Sequence, residues 1–179
     1  YTPTAGLVQL REAISAYLQP KIGYETQPDN IVVSTGVASI LFLLFQTLIA
    51  KDDAVLLIDP YFLIYPALVK YHEAQQYTIP ESFAEGDVAA LKDRLKKDGK
   101  KLKLIIFASP SNPTGKILSE AQLRLLSDLA DDQDAVIASD EIYEAFDYEK
   151  RHVSMAKLNA RRTLTLNGFS KSHAMTGLR

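Results

Sequence analysis

Cysteine is absent from all 179 residues, which excludes disulfide staples and thiolate-held metal centres and fits a reducing, cytoplasmic setting. Charge of one sign is not in excess either. Twenty basic side chains face 22 acidic ones, for a net charge of −2 and a pI near 5.9, which argues against a nucleic-acid or membrane surface as the main business. The longest apolar run, residues 37–50, contains Gln46 and Thr47 and falls short of the roughly 20 residues a membrane span needs; it reads as a buried helix. Several site signatures are missing too. No G-x-G-x-x-G occurs, and Gly115-Lys116 lacks both the upstream glycine and the following Ser/Thr of a P-loop. No G-x-S-x-G marks a serine hydrolase. His72, His152 and His173 are scattered without metal-ligand spacing, so no metal site is expected. Asp131, Asp132 and Asp134 read as a solvated acidic cluster.

The composition that remains, 47% hydrophobic and 23% charged, is that of one globular domain with a sizeable core. The chain opens at Tyr1 without Met or signal peptide and stops at Arg179, close to what reads as a functional centre. It is therefore expected to be an excised part of a longer protein.

Strands and helices alternate along it. Leu7, Leu10, Ile14, Tyr17 and Leu18 recur at helical spacing, with Pro20 as the expected stop. A short β-branched strand is expected over 31–34, then a helix from near Val37. The next strand covers 54–59, and a helix over 61–71 is expected to kink at Pro66. A weaker strand lies over 76–79. Val88, Leu91 and Leu95 mark a helix capped by Asp87, and the basic stretch 96–103 reads as its C-terminus and a turn at Gly99. Further strands cover 102–107, 135–139 and 163–167. Ser119 and Gln122 form a capping box, with Leu118 and Leu123 as a hydrophobic staple. Most strands are continuous apolar runs, the pattern of a largely parallel sheet covered on both faces, hence a three-layer α/β/α fold.

Five unusual segments then fall just beyond expected strand ends: Gly36, Pro60-Tyr61-Phe62, the run 111–115 (SNPTG), the run 140–143 (DEIY), and Ser170-Lys171. That edge of an open α/β sheet is where ligands bind. Asp140, ending an apolar strand, needs a cationic partner: a side chain, or the protonated ring nitrogen of a ligand. Its plain alternative is a helix cap or a structural ion pair. Tyr143 is close enough to share the site, and the Asn112 amide can donate to an oxyanion. Gly36 before a helix start suits an anion, and Phe62 can stack on a planar ring. Lys171 at a strand end, with Arg179 eight residues on, combines a candidate nucleophile with a phosphate or carboxylate fork.

Together these residues resemble fold type I, class I/II pyridoxal-phosphate-dependent aminotransferases of the aspartate aminotransferase type. The likeness runs over nearly the whole chain. It is carried by Tyr1-x-x-x-x-Gly6-Leu7-x-x-Leu10-Arg11, Gly36-Val37-Ala38, Pro60-Tyr61-Phe62, the SNPTG and DEIY runs, and Ser170-Lys171 with Arg179. The resemblance implies the large, pyridoxal 5'-phosphate-binding domain over 1–179, incomplete at both ends, with the small C-terminal domain outside the chain. It implies that Lys171 holds the cofactor as a Schiff base and then serves as general acid and base. Asp140 keeps the pyridine nitrogen protonated. Asn112 and Tyr143 bond the phenolic oxygen, and Phe62 and Ile142 cover the two ring faces. The phosphate falls to Arg179, Ser170 and the backbone amides of Val37 and Ala38, with Tyr1 reaching across a homodimer. The implied reaction is a two-step, ping-pong amino transfer from an amino acid to a 2-oxo acid in amino-acid metabolism. A carbon–sulfur lyase or related eliminating enzyme is the alternative on the same frame, and a sensor domain of a transcriptional regulator another. The chain departs from the family at Gly168, where many relatives have Ser as a phosphate ligand, and at Ala38, where some have Thr or Lys.

Overall fold

The apolar runs of the sequence become the strands of one sheet. The computed structural model describes residues 2–23 and 26–178. Within it, β1 (Ala54–Asp59), β2 (Gln75–Pro80), β3 (Leu102–Ala108), β4 (Val136–Asp140) and β5 (Thr163–Leu166) are all parallel, in the order β2-β1-β3-β4-β5. Successive side chains of a strand point to opposite faces, and here both faces are covered. Ala54, Leu56, Ile58, Ile105, Phe107 and Ile137 pack with α4 (Glu85–Lys97) and α5 (Glu120–Gln133). Val55, Leu57, Leu104, Ile106 and Ala138 pack with α2 (Val37–Leu48) and α3 (Ile64–Tyr71). Burial on both sides is why these strands read as unbroken apolar runs, each buried Leu or Ile contributing about 1.5–3 kcal/mol. The fold is the expected three-layer α/β/α sandwich. Among the described residues no helix is long and apolar enough to cross a membrane.

Local signals explain the element ends. Ser119 Oγ accepts the Gln122 N–H at 3.3 Å while the Ser119 N–H donates to Gln122 Oε1 at 3.2 Å, closing the capping box of α5. Leu118 and Leu123 are both buried beside it. The Gln122 amide also donates to the carbonyls of Glu81 and Phe83, each at 3.1 Å, so the cap fastens α5 to the exit of β2.

Four expectations are corrected. Residues 31–34 are extended but join no strand of the described sheet; the Val33 N–H bonds instead to the Ala5 carbonyl. Gly36 therefore follows a loop, and four rather than five of the unusual segments follow strands. The first helix, α1 (Val8–Ile22), runs through Pro20 and stops at Gly23 in the left-handed conformation. Pro20 stands in its last turn, where the missing N–H removes one terminal hydrogen bond rather than a mid-helix one. Asp87 is not a cap but the third residue of α4, its carboxylate accepting the Ala84 N–H at 2.9 Å. The helix expected from residue 61 starts at Ile64, which puts Pro66 in its first turn, where no intrahelical acceptor is needed.

Candidate active site

The strand order fixes where a ligand can enter. From β1 the chain goes outward to β2 and then returns to the other side for β3, so the connections diverge above the carboxyl ends of β1 and β3, opening a crevice there. Ala108, Asp140 and Leu166 form one row across β3, β4 and β5. The segments that follow them carry Asn112, Tyr143 and Lys171.

Asp140 is the electrostatic centre. It is only 4% exposed, and burial lifts its carboxyl to about 6, with Glu141 nearby adding to the rise. Two donors oppose this. Tyr65 Oη donates to Oδ2 at 2.8 Å, and the Ile142 N–H donates to Oδ1 at 3.2 Å. Burial first, then the Asp140 charge, push the Tyr65 hydroxyl well above the ordinary phenol range, so it acts as a donor. No Lys, Arg or His pairs with Asp140 among the described residues.

Phe62, two residues before α3, and Tyr65, in its first turn, meet edge-on, centroids 6.0 Å apart. Both line a small cavity that also touches Asn112. Asn112 sits on a loop closed by Gly115 N–H to Ser111 O and Ser111 N–H to Lys116 O, each 2.8 Å. That loop is pinned to the exit of β2: Thr114 Oγ1 donates to Glu81 Oε2 at 2.8 Å, and Lys116 Nζ donates to the Glu81 carbonyl at 2.7 Å. On its other side Asn112 shares an open cavity of about 340 Å³ with Tyr143. Lys171, exposed on the short helix α6 (Phe169–Ser172), stands with Nζ 5.6 Å from the Tyr143 ring centroid. Phe62, Asn112, Asp140, Tyr143 and Lys171 are thus linked step by step around one crevice.

The residues expected to meet an anion are less fully described. Gly36, at φ +121°, begins α2, and a first turn leaves the amides of Val37 and Ala38 without intrahelical acceptors. Ser170 is half-buried, and its carbonyl accepts Thr176 Oγ1 at 3.0 Å. Tyr1 and Arg179 lie outside the described residues. Ile142 is buried, and a Cβ added to Gly168 would meet its Cδ1 at 3.4 Å.

Two features escaped sequence reasoning. Tyr65 looks like one more core aromatic in an apolar helix, and its acceptor is 75 residues away; the one available signal is its position three residues after Phe62. The second is the pair of glutamates behind the site. Glu141 is 2% exposed, and its Oε1 accepts Ser139 Oγ, Ser154 Oγ and the Met155 N–H while Oε2 meets His152 Nε2 at 3.2 Å. Glu144 Oε1 accepts Lys21 Nζ at 2.6 Å, Tyr17 Oη at 2.7 Å and Asn167 Nδ2 at 3.1 Å. Burial opposes the Glu144 charge, but Lys21 and Tyr17 outweigh it and hold the carboxyl below its usual value. Asn167 Oδ1 in turn accepts the Gly168 N–H at 2.7 Å, so α1 is tied through Glu144 to the turn that carries Lys171. Glu141, Glu144 and His152 bring ligand-type atoms within 4.8 Å of one another, with both Glu141 oxygens and Glu144 Oε1 engaged by protein groups.

The whole chain, residues 1–179, is matched by the family model described as "Aminotransferase class I and II". It is 39% identical to a probable aspartate aminotransferase of Methanocaldococcus jannaschii and 38% identical to an aspartate aminotransferase of Bacillus subtilis, each match covering 100% of this chain and 47% of the relative. Among solved structures, a single mutant of Thermus thermophilus aspartate aminotransferase superposes with a TM-score of 0.88 at 31% identity, over 100% of this chain and 47% of that one. The chain spans about half the length of these relatives.

Proposed function

This chain belongs to the class I and II aminotransferases, and from that premise we propose that it is the cofactor-binding large domain of a longer pyridoxal 5'-phosphate-dependent transaminase. The enzyme moves an amino group from an amino acid to a 2-oxo acid in two half-reactions. The observation that carries the reading is Asp140: a buried carboxylate without a cationic side-chain partner among the described residues, at the end of β4, on the rim shared by Phe62, Asn112, Tyr143 and Lys171. The residues fit the group, because a protonated ring nitrogen is the partner such a carboxylate lacks, and an exposed Phe62 ring offers a stacking face.

When bound, the cofactor supplies an electron sink for negative charge at the substrate's α-carbon. The chain's residues do the rest. Lys171 would hold the cofactor covalently through Nζ; displaced by the incoming amino group, its freed amine would take the proton from the substrate's α-carbon. Asp140 keeps the proton on the ring nitrogen. Asn112 and Tyr143 donate to the phenolic oxygen, and Phe62 and Ile142 confine the ring. The amides of Val37 and Ala38 at the start of α2, with Ser170 and Arg179, bind the phosphate, and Tyr1 completes the neighbouring site in a homodimer. The relatives carry aminotransferase names, which favours transfer over elimination and nominates aspartate as the first donor to try. In the full-length protein, Lys171→Ala should abolish the near-visible absorbance of the covalently held cofactor and slow the half-reaction with aspartate by about a hundredfold or more. A variant that still turned over at near wild-type rate would sink the assignment.

A further inference from the structure

Asp140 is held from beneath by a residue outside every recognised motif. Tyr65 is 1% exposed, packed in the core between α2, α3 and the sheet, and its hydroxyl reaches Asp140 Oδ2 at 2.8 Å. With the Ile142 N–H on Oδ1, each carboxylate oxygen receives one protein donor, one from α3 and one from the exit of β4. The carboxyl plane is therefore fixed by two elements that the sheet itself holds in place, which is how a charged site group is kept in geometry. The titratable groups around Asp140 are Tyr65 from α3, and Glu141 and Tyr143 from the segment after β4. Glu141 acts against the Asp140 charge; Tyr65 alone among the three donates to it.

We propose that Tyr65 is a positioning residue for Asp140, orienting the carboxylate and supplying the hydrogen bond that keeps the shared proton on the cofactor's ring nitrogen instead of on Asp140. This rests on the reading above that Asp140 faces that nitrogen. A carboxylate deprived of its phenol donor binds a proton more strongly, so the proton moves toward Asp140 and the ring loses positive charge.

The test uses full-length protein in two states. In apoprotein labelled with 13Cγ-aspartate, the Asp140 resonance, assigned by its loss in Asp140→Asn, is followed against pH. In protein reconstituted with 15N-labelled pyridoxal phosphate, the ring-nitrogen shift reads its protonation. Tyr65→Phe should raise the Asp140 midpoint by about one pH unit or more and move the 15N signal toward the unprotonated range. Placed on Asp140→Asn, it should leave the 15N signal where that variant has it. Replacing Tyr65 by 3-fluorotyrosine, a stronger donor of nearly the same size, should lower the midpoint and keeps the test open if the Phe variant does not fold. An unchanged midpoint and an unchanged 15N signal in a folded variant would overturn the proposal. Failure of the wild type to bind the cofactor would instead overturn the functional reading, while the apoprotein titration would still report on Tyr65 and Asp140.

Discussion

Replacing Asp140 by asparagine should make the cofactor-free protein more stable at neutral pH, not less. The native carboxyl sits near 6 in the fold against an ordinary 3.8. Its folded value is raised, so the unfolded chain ionises first. Below the unfolded value both states carry the proton and no penalty exists. As pH climbs from there to the folded value, stability drains away, and above it the full gap of about two pH units is felt. At 1.36 kcal/mol per unit that is about 3 kcal/mol. The substituted amide never ionises, but one carbonyl oxygen must replace two carboxylate oxygens. One of the two donors, Tyr65 Oη or the Ile142 N–H, loses its acceptor, at a cost of about 1 kcal/mol. The net expectation is a variant about 1 kcal/mol less stable than wild type near pH 3.5 and about 2 kcal/mol more stable near pH 7.5. Urea unfolding of full-length apoprotein, wild type against Asp140→Asn across that range, measures the difference directly. The pH dependence is the diagnostic part, because the lost hydrogen bond is a constant offset. A difference that stayed flat with pH, or a variant no more stable than wild type at pH 7.5, would refute the reasoning that Asp140 is a desolvated charge kept for function at the expense of stability.

Substitutions at two other positions probe the frame around the site. Gly6 sits at φ +101°, and an added Cβ would lie 2.7 Å from Val33 Cβ and 2.9 Å from Val33 Cγ2, so Gly6→Ala combines backbone strain with overlap and should cost about 2–4 kcal/mol in chemical denaturation. Glu141→Gln preserves shape but turns an amide donor toward His152 Nε2, which must then accept; the ring proton moves to Nδ1, buried and without a partner. Loss of about 2 kcal/mol is expected, and Glu141→Ala, which strands all four donors, should lose more.

The inner strands β1, β3 and β4 were legible because a sheet buried on both faces demands apolar runs, and the cap of α5 was legible because Ser119 and Gln122 satisfy each other locally. The 31–34 segment shows the limit of that logic. Its β-branched residues favour extension, but extension becomes a sheet strand only where a neighbour offers a ladder, and here the backbone partner of Val33 is Ala5. Pro20 and Pro66 were misplaced for a related reason: a proline's cost depends on its distance from a helix end, and the ends are set by Gly23 and by the turn after β1. At the site, Asp140, Asn112, Tyr143 and Lys171 could be nominated because each ends or follows a strand. Tyr65 and the Glu141–His152 contact could not, since their partners are joined by the fold and not by spacing.

Two lysines stand near the crevice, and only one is assigned the chemistry. Lys171 faces the Tyr143 ring, whereas Lys116 lines the small cavity with its Nζ bonded to the Glu81 carbonyl. Reducing the full-length protein with borohydride after loading with pyridoxal phosphate, then mapping the added mass by peptide sequencing, decides between them. One modified peptide is expected, with the cofactor on Lys171, and none in Lys171→Ala. Cofactor fixed on Lys116, or no stable attachment in the wild type, would contradict the assignment of Lys171.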